Sequence, residues 1–312
     1  ELIGPYPYPQ YSVIQGGDGG MEYPMATLIT GQRSLQSLVG VTVHEMAHSW
    51  FQAVLATNES LYEYMDEGMT SYATELCMRH LFVGPGSDEP PHQGAFSSYI
   101  SQALSGNEEP LITHADHYQT NRAYGVAAYS KGEALLAQLA AIMGPELRDE
   151  GLKAYYRDWQ FKHPGPNDFK RSMEKVCGFD LDWYFQYFVH TTHQIDYAID
   201  RVAEGATTTT IECSRIGAMP MPQNITVTYT DGSSMTYVAP LVMMRGHRPI
   251  ADGETLLPDW PWTSPTYSFD VPTGSGIASV ELDAARQTAD VDRSNNAVVF
   301  DPEIKRLYER TR

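Results

Sequence analysis

Apolar residues in this chain follow one spacing up to about residue 190 and another beyond it, and no single kind of element satisfies both. From Ser34 onward Leu35, Leu38, Val39, Val43, Met46, Ala47, Trp50 and Val54 recur every three or four residues, the period that lines one helix face. Further helices are expected at 66–82, 123–143, 145–161, 167–177 and 180–190, with Asp66, Pro145, the Asn167-Asp168 pair and Asp180 as start signals. Near Asp196 the texture changes to alternation, at 207–213, 224–229 and 235–242, with Asp231-Gly232 as a hairpin turn. Strand-like runs follow at 267–271, 279–282 and 297–300. Residues 1–30, rich in Gly, Pro and Tyr, carry two more at 11–14 and 26–29, while 84–120 reads as loops around short helices. The expected fold class is α+β: a mostly helical unit over 1–195 after a partial N-terminal sheet, then a small antiparallel β-sandwich and tail over 196–312.

Composition narrows the partners. At 312 residues and 42% hydrophobic, the chain is long enough for a sizeable core and more than one domain. It has no run of eighteen apolar residues, so no membrane span is expected. It begins with Glu and no charged-then-apolar leader is visible, which leaves the compartment open. A net charge of −18 repels nucleic acid and would concentrate cationic peptides, although a solvated acidic surface is its simplest meaning. The three cysteines are far apart and form no CxxC pair, so neither a thiolate metal site nor a disulfide framework is indicated.

The first helical run contains His44-Glu45-Met46-Ala47-His48, an HExxH motif. Four residues on a helix advance roughly 400°, so both imidazoles leave one face about a turn apart and can meet one zinc ion. Glu45 lies between them, able to reach a water in an open coordination position. Glu67 is the candidate third ligand, at the expected start of the next helix, where Gly68 permits close approach by another chain segment or a ligand. One zinc per chain is the expected metal content. His114 with His117, and His190 with His193, have no acidic or cysteine partner pattern and are not read as a second site.

The ligand spacing, with eighteen residues between His48 and Glu67, resembles the gluzincin metallopeptidases. The wider context, His44 to Phe51 with Asp66-Glu67-Gly68, resembles the aminopeptidase N and leukotriene hydrolase family. Gly19-Gly20-Met21-Glu22-Tyr23 is similar to that family's GxMEN motif, and Tyr129-Ser130-Lys131-Gly132 to its YxKG segment. The resemblance covers about 5–195 and implies a thermolysin-like catalytic domain with an appended β-sandwich. It further implies that the family's large N-terminal β-domain and part of the catalytic sheet lie outside this sequence. By the same resemblance, Glu45 is the general base, Tyr129 stabilises the oxyanion, and Gly19, Gly20, Met21 and Glu22 bind substrate. Glu22 would pair with the free amino terminus of a peptide, and the edge strand after it with the peptide backbone. The implied function is removal of N-terminal residues from peptides. An endopeptidase or epoxide hydrolase on the same zinc, or a non-catalytic scaffold, stand as alternatives. Two positions depart from the family: Tyr23 replaces Asn, and the position seven after Glu67 is Thr74, leaving Glu75 as the candidate carboxylate behind His44 or His48.

Overall fold

A computed structural model describes residues 3–84, 87, 89–300 and 307–310. Its first strands, β1 (Ser12–Gln15), β2 (Gly20–Tyr23) and β3 (Ala26–Ile29), form a sheet of order β1-β3-β2. β1 runs parallel and β2 antiparallel to β3, so β2 is an edge strand. Thr27 donates its hydroxyl to the Met21 carbonyl at 3.0 Å, which ties the two strands together across the face.

Helix α1 (Leu35–Phe51) opens where Ser34 accepts from the Ser37 amide, a cap that satisfies one orphan N–H. Helix α2 runs Glu59–Met78, seven residues earlier than the start expected at Asp66. Its cap is Asn58, which accepts from the Leu61 amide, and a kink at Tyr62 interrupts the first turn. Asp66 therefore lies inside the helix, 2% exposed, and caps nothing. An Asp before an apolar run is an ordinary start signal, and the kink hid the turn ahead of it.

The stretch expected to be mainly loops contains α3 (Gln93–Leu104). The expected helix over 123–143 is instead α4 (Asn121–Gly125), a π-helical turn (Val126–Lys131), α5 (Gly132–Ala137) and α6 (Leu139–Met143). Then come α7 (Pro145–Trp159), with Pro145 in its first turn, α8 (Pro166–Cys177) and α9 (Asp182–Phe188). Trp183, Tyr184, Phe185 and Phe188 are buried in the core, as expected of an aromatic stripe at helical spacing.

The remaining strands are β4 (Tyr197–Glu204), β5 (Thr208–Arg215), β6 (Gln223–Tyr229), β7 (Ser234–Ala239), β8 (Glu254–Leu256), β9 (Thr266–Pro272), β10 (Ile277–Leu282), β11 (Ala297–Val299) and β12 (Leu307–Glu309). They form two sheets, β12-β4-β5-β9 and β11-β10-β6-β7-β8. Tyr237 of one sheet meets Phe269 of the other at 5.7 Å, and Val202, Ile211, Ile225, Val227 and Val280 share one buried cluster. All pairings are antiparallel except β7 with β8, which is parallel and corrects the all-antiparallel expectation. β4 was not expected. A register shift between Ile199 and Arg201 breaks its alternation, the effect of a bulge, and Asp200 and Arg201 pair instead with Arg310 and Glu212.

One close crossing controls the helical half. A Cβ on Gly68 of α2 would lie 2.5 Å from Gly132 Cα, and one on Gly132 would lie 2.8 Å from Gly68 Cα. The backbones touch because neither has a side chain, so the segment carrying Tyr129 sits against the helix carrying Glu67. This neighbour, not a ligand, is what Gly68 admits. Gly68→Ala should therefore cost about 1–3 kcal/mol despite better helix propensity, since backbone cannot yield as a side-chain tip can. Gly94→Ala, in α3 with open space around its Cβ, should be neutral or stabilising by up to about 1 kcal/mol. Urea unfolding of both variants checks this. Equal midpoints for Gly68→Ala and the parent chain would contradict it.

Candidate metal centre

Helix phase puts His44 and His48 one turn apart on α1, and α2 crosses beside them with Glu67. His44 Nε2 lies 3.1 Å from a Glu67 carboxylate oxygen, His48 Nε2 lies 3.4 Å from the same atom, and the two Nε2 atoms are 3.3 Å apart. Tetrahedral zinc with bonds of about 2.0–2.1 Å requires donors roughly 3.3 Å from one another, so this triangle fits such a cation.

The ring nitrogens facing away from the triangle are also held. Asp66 Oδ1 accepts from His48 Nδ1 at 2.6 Å, both groups being 2% exposed. Thr74 Oγ1 lies 3.5 Å from His44 Nδ1 and donates to the Thr70 carbonyl at 2.8 Å. These contacts orient both rings with Nε2 inward, the arrangement metal-binding histidines use. Sequence reading missed Asp66, having spent it as a cap. Its adjacency to Glu67 was the available signal. Glu75 reaches neither histidine; its nearest cation is Arg79 at 3.9 Å.

Glu45 is 6% exposed, and its Oε2 has no hydrogen-bond partner. Gly20 presses on its other oxygen, and any side chain there would collide with it. Burial raises the Glu45 carboxyl above the ordinary range. His44 and His48 oppose that rise, while Glu22 and Glu67 add to it. A carboxylate with one oxygen buttressed and the other unsatisfied is placed to accept a proton.

Tyr129, on the π turn, donates its hydroxyl to Glu67 Oε1 at 2.6 Å and stacks on His44 at 5.8 Å. Desolvation and the Glu67 charge push its phenol upward, so the proton stays available for donation. Glu22, half-buried on β2, brings its carboxylate within 4.8 Å of the nearest ligand atoms of Glu45 and His48. It also groups with Glu59 and Asp66 within the same limit. Met21 and Tyr23 flank it on the edge strand, 38% and 50% exposed, while the Gly19 carbonyl accepts from Arg33.

The whole pocket is acidic. Burial disfavours an imidazolium at His48, yet Asp66 and Glu67 outweigh this and raise it to about 11. Burial likewise opposes Glu67, but His44 and His48 hold it down to about 2. His114 and His117 lie with ring centroids 4.8 Å apart, tilted to each other, without an acidic third partner, and His193 packs on Tyr187; neither pair joins a metal-binding group among the described residues.

Known proteins resemble this chain in sequence and in fold. Residues 3–188 match the family model described as the Peptidase family M1 domain. Human aminopeptidase B is 29% identical over 203 residues, covering 60% of this chain and 29% of that protein. Leukotriene A-4 hydrolase of Xenopus laevis is 29% identical over 203 residues, covering 59% of this chain and 33% of its own. The chain thus spans about a third of the length of these curated relatives, or less. Aminopeptidase A of Legionella pneumophila, solved with aspartic acid, superposes with a TM-score of 0.63 at 13% identity, over 89% of this chain and 31% of that one. That likeness shows a shared fold, which extends past the helical half into the β-strands. With the family model matched from residue 3 to residue 188, the chain belongs to peptidase family M1.

Proposed function

We propose that this chain is the catalytic portion of a zinc aminopeptidase, removing the first residue from peptides with a free amino terminus. The observation that carries the reading is the triangle of His44, His48 and Glu67 donors with the unpartnered Glu45 oxygen beside it. His44 and His48 would hold the metal through Nε2, with Glu67 as the third ligand and Asp66 fixing the His48 ring. Zinc, when bound, supplies a Lewis acid that polarises the scissile carbonyl and makes water a nucleophile near neutral pH.

The chain's own groups do the rest. Glu45 takes the proton of the attacking water and passes it to the leaving amine. Tyr129 turns its O–H from Glu67 to the oxygen of the substrate carbonyl as negative charge gathers there. One such donor is commonly worth about 3–4 kcal/mol. Glu22 pairs with the peptide's ammonium and so sets the first peptide bond over Glu45, while the open edge of β2 offers backbone groups to the substrate. The acidic wall suits a cationic terminus.

Three measurements test these roles. A metal-free chain carries a proton on His48 at neutral pH, because Asp66 and Glu67 push its pKa up to about 11. Zinc uptake should then release about one proton near pH 7, and affinity should climb as pH rises toward that value. Calorimetry in buffers of different ionisation enthalpy reads the proton count, and zero release would refute the ligand role of His48.

Glu45→Gln should keep stoichiometric zinc and lose turnover by roughly 10²–10⁴-fold, since only the base is removed. A zinc-loaded variant with near-normal turnover would rule out that assignment. The exopeptidase reading predicts that free-amine peptides are shortened one residue at a time and that acetylated copies are poor substrates. Glu22→Ala should weaken cleavage of the free peptides by about 10–100-fold, the size of a lost charge-assisted hydrogen bond. Mass spectrometry of the product ladder decides: equal cleavage of blocked and free peptides, or internal cuts from the first time point, would indicate an endopeptidase.

A further inference from the structure

Lys131 is the one lysine of the molecule's described core that is almost wholly enclosed, at 1% exposure, and no step above uses it. Its Nζ donates to Glu108 Oε1 at 2.5 Å and lies 3.3 Å from the Thr191 carbonyl. The same ammonium stands over the Tyr99 ring at 5.4 Å and the Phe188 ring at 5.1 Å. Four elements therefore converge on one charge: the loop after α3, α3 itself, the end of α9 and the segment leading to β4. Burial disfavours the ammonium, and Glu108 opposes that loss. A buried ion pair is poor value for stability alone, because apolar residues of similar size usually serve as well. What a paired, directional charge adds is a fixed orientation.

Lys131 closes the π turn Val126–Lys131, two residues after Tyr129. Side chains two apart on a helix point to roughly opposite sides. Here Tyr129 faces outward to Glu67, while Lys131 faces inward to its four partners. Gly132 follows at once, pressed on Gly68 of the Glu67 helix, and Ser130 donates to Ser98 of α3 at 3.0 Å. The turn is thus gripped on its inner side, and that grip sets the direction of the phenol on its outer side. π turns carry weaker geometry than α-helix and need such outside support.

From this geometry we infer that Lys131 and Glu108 are positioning residues for Tyr129, their buried pair locking the π turn so that its phenol is aimed at the metal site. The inference rests on the proposed function for its kinetic consequence and on geometry alone for the aim of the ring. A misplacement of about 1 Å can cost a hundredfold in rate without affecting binding.

The test compares three variants of the 312-residue chain, Lys131→Met, Glu108→Gln and the apolar pair Lys131→Met with Glu108→Met. The apolar pair should restore most of the thermal stability that Lys131→Met loses, having removed the stranded carboxylate. It should not restore turnover: kcat should remain 10–100-fold low with KM within about threefold, and adding Tyr129→Phe should lower it by clearly less than the same substitution lowers the parent chain. A role confined to stability would give the opposite, turnover returning together with stability and the Tyr129→Phe loss adding in full. Fluorine NMR of the 3-fluorotyrosine-labelled chain reads the ring directly, even if the peptidase reading itself fails. The Tyr129 resonance, assigned by its loss in Tyr129→Phe, should shift or broaden in Lys131→Met and in the apolar pair. An unmoved resonance in both would overturn the inference.

Discussion

Two imidazoles and a carboxylate are packed with donor atoms 3.1–3.4 Å apart, in a pocket walled by further carboxylates from Glu22, Glu45 and Asp66. Without a cation this arrangement is electrostatically costly, and the directions of its pKa values show the strain: His48 drawn far up, Glu67 far down, Glu45 up. A proton on His48 relieves part of it. A divalent ion would relieve more, and would do so with donor spacings that already suit tetrahedral coordination. The same constraint explains why Asp66 is buried: a carboxylate behind an imidazole fixes the tautomer that leaves Nε2 free.

Holding like charges together requires a scaffold that cannot relax. The helical half supplies it through a contact with no slack, the touching backbones of Gly68 and Gly132, which fixes Tyr129 over Glu67. On the opposite side Gly20 of β2 packs against the Glu45 carboxylate, so the strand that carries Glu22 is registered against Glu45. The β-strand half joins through buried polar links. Gln138, wholly enclosed, donates to Tyr184 and accepts from the Ala289 amide at 2.9 Å, and Gln194 donates to the Ala103 carbonyl. Fold, metal pocket and β-half therefore share one continuous core.

Much of this was legible from residue spacing, and the failures have physical causes. Helix period around His44 and His48 fixed which faces of α1 and α2 could meet, because the four-residue interval admits only one geometry. Glu67 was picked out as the candidate third ligand although its helix start was misplaced, and it lies within 3.4 Å of both imidazoles: position along a helix decides a side chain's direction, whatever turn precedes it. Asp66 was missed because a carboxylate at an apparent helix start has an ordinary local use, and only tertiary packing showed His48 against it. β4 was missed because a bulge at Asp200 breaks the two-residue period on which strand recognition depends. The π turn beneath Tyr129 has no composition of its own. Its support comes from Glu108 and Thr191, distant in sequence, so local periodicity could not announce it.

The central claim is that one metal ion sits at the meeting of α1 and α2. A crystal of the zinc-loaded chain, with diffraction recorded on both sides of the zinc absorption edge, tests it most directly. The account predicts a single anomalous peak per chain, about 2.0–2.2 Å from His44 Nε2, His48 Nε2 and a Glu67 carboxylate oxygen. A peak lying instead among Glu22, Glu59 and Asp66, or no peak above background in a chain shown to be folded, would contradict it.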